Sequence, residues 1–186
     1  NRSRLSGEQV RDTLLTLGGQ LDLTMGGPSA VQFNSRGDAT FMSGGNPAFL
    51  DYEHFDPDSP AARRRAIYRF IFRTVPDPFM DALDCPDGGA FTPVRGASAT
   101  AQQAFAMLND AFLIRQCEHI AARVAGPTAE NGKAELEDCV QAAFRLILQR
   151  WPKVPELKRF THYARQHGVA NAVQLLVNAN EFLYVD

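Results

Sequence analysis

Much of what would betray an activity is missing from these 186 residues. The three cysteines, Cys85, Cys117 and Cys139, stand far apart, with no C-x-x-C and no C-x-x-C-H, so this segment does not itself attach a c-type haem. No apolar run approaches the roughly 20 residues of a membrane span. Excess charge is lacking too. The formal net charge is −2 and the only basic run is Arg63-Arg64-Arg65, which gives no electrostatic footprint for nucleic acid. The glycine turn "MGGPSA" matches neither G-x-x-x-x-G-K-S/T nor G-x-G-x-x-G, so no phosphate loop follows from it. The four histidines form no metal face. His162 and His167, five apart on one helix, project roughly 140° from each other, and the histidines read as surface or packing residues.

What is present belongs to an ordinary globular domain: 45% apolar and 22% charged residues in a single domain, 1–186. A chain of this length buries roughly 70% of its unfolded surface and needs no covalent staples. Ser6 caps a first helix with Gln9 at its third position, a capping box, and Leu5 and Val10 supply the hydrophobic staple. Gly18-Gly19 ends that helix. A long loop rich in Gly, Pro, Asp, Asn and Ser follows, and its aromatics Phe33, Phe41, Phe49, Tyr52 and Phe55 argue for order. "AIYRFIFR" (66–73) alternates and predicts a strand, with a partner around Ala39 to Ser43. The remainder is helical. A helix capped by Ser98 or Thr100 continues or kinks into 110–126, where Cys117 lies on the apolar face. The next carries Cys139 in the same way, Pro155 opens another, and a last one precedes "NANEFLYVD". The fold class is mostly α with a small β element.

The stretch "RTVPDPFMDALDCPDGGAFTPVRG" (73–96) holds the densest chemistry: Asp77, Asp81, Asp84 and Asp87 near Arg69, Arg73 and Arg95, with prolines stiffening the backbone. Such a set forms either an acid/base pair in a cleft or an ion-pair network that fixes one loop conformation. The residues favour the network, with Arg73, Asp84, Asp87, Arg95 and Tyr68 as its members and Asp84–Arg95 as its expected pairing. Cys85, flanked by Asp84 and Pro86, is a poor nucleophile. No catalytic residue and no metal ligand is assigned, and the segment on its own leans away from enzymatic activity.

The phrases "RLSGEQVRDTLLTLGGQLDLTMGGPSA", "RRAIYRFIFRTVPDPFMDALDCPD", "TPVRGASATAQQAFAMLNDAFLIRQCEHIAARV" and "NANEFLYVD", in this order, resemble a planctomycete PSD-type C-terminal domain, the domain of unknown function fifteen-fifty-three. The family pattern falls on Arg4, Glu8, Arg11, Asp12, Gly26, Gly27, Pro28, Arg65, Tyr68, Arg73, Asp84, Pro86, Asp87, Arg95, Gln103, Asn109, Asn178, Glu181 and Phe182. The chain departs from it at Gln102, Gly88-Gly89 and Val154. The resemblance implies an extracytoplasmic multidomain parent. In it, a cytochrome-associated domain precedes this one and a c-type haem lies elsewhere, with no cofactor in this segment. It implies a structural or interaction module. The alternative is a catalytic or carbohydrate-binding domain using 77–95 and the aromatic loop 33–55, with polysaccharide as its partner. The opening "NRSRLSGEQV", without initiator Met or signal peptide, reads as a cut end. The chain then looks like the C-terminal two-thirds of the family domain, and an apolar patch is expected on or beside the first helix.

Overall fold

The computed structural model describes residues 3–36, 49–72, 75–86, 100–126 and 136–185. The first helix, α1 (Gly7–Gly18), begins as its sequence dictates. Gln9 N donates to Ser6 Oγ (3.3 Å) and Ser6 N donates to Gln9 Oε1 (2.8 Å), which satisfies two otherwise orphaned amides. Val10, Leu14 and Leu15 are wholly buried along one stripe, and Gly19 closes the helix at φ 70°.

That stripe packs on α5 (Ala111–Ala125), the central helix, which also lies against α6 (Leu136–Leu148) and α8 (Val169–Val177). Helix α7 (Val154–His167) packs on α6 and α8. The core runs through Leu113, Cys117 and Ile120 of α5, Val140 and Phe144 of α6, and Val173 and Val177 of α8. Phe144, 1% exposed, meets the Phe160 ring edge-on at 5.0 Å. Cys117 and Cys139 are buried and unbonded, and burial pushes the Cys117 thiol up to about 12. They pack as small apolar residues.

Asp110 settles whether one helix or two spans 101–125. Its backbone (φ −68°, ψ 131°) ends α4 (Ala101–Asn109), and its carboxylate accepts from Phe112 N and Leu113 N to start α5. Helix α4 has its own capping box, Thr100 with Gln103.

The β content is small and sits elsewhere than expected. β1 (Ser3–Arg4) pairs antiparallel with β4 (Tyr184–Val185), and Leu5 N donates to Leu183 O (2.9 Å), so the two ends of the chain are clasped. β2 (Asn34–Arg36) and β3 (Phe49–Asp51) form an antiparallel pair. The strand read at 66–73 is instead a 3-10 turn at Ala66–Tyr68 followed by extended chain. Asp12 Oδ1 accepts from Ala66 N (2.7 Å), which holds the turn against α1. Among the described residues this run keeps a single parallel bridge, to Ala30, made by Ala30 N to Tyr68 O and Phe70 N to Ala30 O. The alternation itself is real: Ile67 and Ile71 stand exposed while Tyr68, Phe70 and Phe72 are half-buried. Arg73 and the expected partner strand at 39–43 lie outside the described residues.

Short pieces complete the frame. α2 (Pro60–Arg63) is capped by Ser59, and α3 (Pro78–Ala82) by Asp77. α9 (Asn180–Leu183) leads into β4.

Candidate functional site

Two cavities flank the segment that carries Asp77. An open groove of about 1020 Å³ runs between α1 and residues 65–72, walled by Gln9, Asp12, Ile67, Phe70 and Asp81 among others. A smaller cavity of about 420 Å³ lies between the start of α5, α3 and the 52–57 loop. Asp77 and Tyr52 line both, so they form the partition between them.

The partition is built from fully engaged groups. Asp77 Oδ1 accepts from Phe79 N (2.9 Å) and Met80 N (3.2 Å), the N-cap of α3. Its Oδ2 accepts from Arg69 Nη2 at 2.6 Å, and Arg69 Nε donates to Gln32 Oε1 at 3.0 Å. The Arg69 side chain is 8% exposed, so this is a largely desolvated ion pair. Tyr52 donates to Val75 O (2.9 Å), and burial raises its phenol to about 12. Phe33, edge-on to both Tyr52 and Phe70, stacks the hairpin region onto this partition, so the loop aromatics seen here form a small core of their own.

Arg11 of α1 closes the inner end of the smaller cavity. It is 3% exposed, donates to the carbonyls of Ala62 and Arg64, and lies over the Phe112 ring at 4.9 Å. Burial, then the neighbouring Arg69 charge, pulls its guanidinium down to about 10. Asp110 stands on the same wall. Burial, with Asp77 adding repulsion, raises its carboxyl to about 6 against the pull of its two backbone donors.

The sequence-predicted residues fall into several places. Asp84 closes α3 in the left-handed region (φ 58°), which Asp tolerates better than most residues. It is engaged by Arg4 Nη1 of β1 (3.2 Å) and by Gln103 Nε2 of α4 (2.8 Å), which ties three elements together. Arg73, Asp87 and Arg95 lie outside the described residues, and with them the pairing expected between Asp84 and Arg95. Among the described residues, Tyr68 meets the glycine turn and Arg64. Its hydroxyl accepts from Gly26 N (2.9 Å), and Arg64 stacks on its ring at 4.3 Å while donating to Thr24 O and Gly26 O. The Gly26-Gly27-Pro28 turn is thereby pinned, with Gly26 and Gly27 at φ 76° and 86°. Asp12 fastens Ala66 and pairs with Arg11 and Arg65, Glu8 lines the groove, and Asn109 donates to Phe105 O. Glu181 is gripped by Arg150, which binds it and Glu156 through two nitrogens each at 2.6–2.9 Å.

Sequence reasoning passed over Asp110, although "DAFLI" carries an N-cap signature. It also missed Asp58, which joins His119 Nε2 (2.6 Å) and Arg115 Nε (2.7 Å). No local signal links positions 61 apart. Among the described residues no three His, Cys, Asp or Glu side chains gather as metal ligands, and no helix is long and apolar enough to cross a membrane.

No curated protein and no solved structure matches the chain. A family model described as PSD1, protein of unknown function (DUF1553), matches residues 1–164. That span ends within α7, so "NANEFLYVD" lies beyond it. With all but the last two helices and β4 under that model, the chain belongs to the PSD1 (DUF1553) family.

Proposed function

We propose that the chain is a non-catalytic interaction module of an extracytoplasmic, multidomain haem-associated protein of cytochrome c type. Its partner is the cytochrome-associated domain that precedes it in the parent. The haem chemistry belongs to the parent, and this domain docks and orients its neighbour. One observation carries the reading: two carboxylates of the acidic stretch, Asp77 and Asp84, are each held by an arginine and by amide donors. Asp77 is taken by Arg69 and the α3 cap, and Asp84 by Arg4 and Gln103. A hydrolytic pair needs two carboxyls facing substrate across a cleft, whereas these two fix the junction between helices.

The test is hydrogen exchange on the full-length parent and on this chain alone, with the parent's oxidised and reduced visible spectra recorded beside it. Docking predicts slower exchange of described groove-wall amides in the parent, and a c-type Soret and α-band. Identical exchange in both contexts would refute the module. A featureless spectrum would remove the haem. Either result would bring forward the alternative, a carbohydrate-handling groove.

A further inference from the structure

The smaller cavity, about 420 Å³, has the size of a small-ligand site and walls of mixed chemistry. Tyr52, Phe55, Phe79 and Phe112 supply aromatic surface, and Phe79 and Phe112 meet at 6.0 Å between ring centres. Among the described residues three carboxylates, Glu53, Asp77 and Asp110, line it with one guanidinium, Arg11. Asp77 is paired with Arg69.

The carboxylates differ in how far they are engaged. Asp77 uses both oxygens on Phe79 N, Met80 N and Arg69. Asp110 uses Oδ1 alone, for Phe112 N and Leu113 N, and its Oδ2 accepts no hydrogen bond from the described residues. Arg11 makes no hydrogen bond to it: its Nη atoms donate to the Ala62 and Arg64 carbonyls.

We propose that this cavity is a binding site for a small organic cation, a guanidinium or primary ammonium on a short apolar stem, with Asp110 receiving the charge and the rings of Phe55 and Phe112 the stem. Aromatic faces and an incompletely engaged carboxylate attract the same group for the same electrostatic reason, and a partly desolvated wall strengthens both. A planar guanidinium offers two parallel N–H donors, which suits a carboxylate edge. The site is separate from the groove and does not depend on the module reading.

The test titrates the full chain with n-butylguanidinium and with its neutral counterpart n-butylurea, followed by amide chemical shifts. The cation saturates shifts at residues 110–113 and 77–80, and the urea binds at least about tenfold more weakly, the scale of one charge-assisted contact. Asp110→Asn keeps the helix cap, because Asn caps as well as Asp, and weakens the cation by about tenfold or more. Phe55→Ala weakens both probes. Affinity for the cation falls as pH drops through about 6, where Asp110 takes a proton beside Asp77, Glu53, Arg11 and Tyr52. Equal binding of the two probes, unchanged affinity in the folded Asp110→Asn variant, or no saturable shift overturns the proposal.

Discussion

Replacing Asp110 by Asn should make the protein more stable, and the gain should depend on pH. The carboxyl titrates at 3.8 when unperturbed and at about 6 in the fold, because burial and then Asp77 oppose its charge. The favourable bonds from Phe112 N and Leu113 N are already contained in that value. The folded state therefore holds the proton more tightly than the unfolded chain. Between about pH 4 and pH 6 stability rises as pH falls, and above about 6 the full cost of the charge is present. At 1.36 kcal/mol per tenfold change in proton affinity, that cost is about 3 kcal/mol. Water at the mouth of the cavity reduces it, so about 1–3 kcal/mol is expected. Asn carries no charge and still caps α5. Urea unfolding followed by circular dichroism at pH 7.5 should show Asp110→Asn ahead by that amount. At pH 4.5 the difference should shrink to roughly a third, as the wild-type carboxyl becomes protonated in the fold. A variant less stable than wild type at pH 7.5, or a gap that does not change with pH, would refute the account of Asp110 as a desolvated acid.

Two other substitutions probe the joints of the fold. Asp84→Ala leaves the buried Arg4 guanidinium without this carboxylate and puts Ala at φ 58°, so thermal unfolding should show a loss of about 2–4 kcal/mol. Asp84→Asn, which tolerates that backbone and can still accept from Gln103, should lose less. Arg150→Lys cannot reproduce two bidentate pairs. It should cost about 1 kcal/mol, less at high salt, since the site is partly exposed. Hydrogen bonds from Arg150, then from Lys153 N, pull Glu156 down to about 2. Its contribution is thus complete above about pH 4.5 and lost as pH falls through about 2, and a pH series of melting temperatures on both proteins checks this.

What the sequence made legible was local. The Ser6 box, the Gly19 stop and the apolar stripes of α1, α5, α6 and α8 each depend on residues within one or two turns, and each is present. The parity of 67–72 was legible as well, because burial of alternate residues needs only an extended backbone. The hydrogen-bonding state was not. Whether "AIY" turns or extends is decided by Asp12, 54 positions upstream. Arg69 shows the same limit. Alternation places it on the face shared with the exposed Ile67 and Ile71, yet Asp77 and Gln32 draw its side chain inward. Within the acidic stretch the described ion pairs join Asp77 to Arg69 and Asp84 to Arg4, the latter 80 positions away and beyond any local pattern, while the expected Asp84–Arg95 pairing lies outside the described residues. The Asp110 cavity was beyond reach for a related reason. Its cap could be read from "DAFLI", but its perturbation comes from Asp77 and from burial that only the folded chain creates.

The clasp between β1 and β4 also determines how the domain answers to force. Ser3 faces Val185 and Arg4 faces Tyr184 in antiparallel register, so the strands' outer ends emerge side by side from the same end of the ladder. Tension applied through both ends opens this two-pair ladder like a zipper, one hydrogen-bonded step at a time, instead of shearing it all at once. The clasp yields first and at low load. The helical core then feels the pull at α1 and α9 only after the clasp has opened.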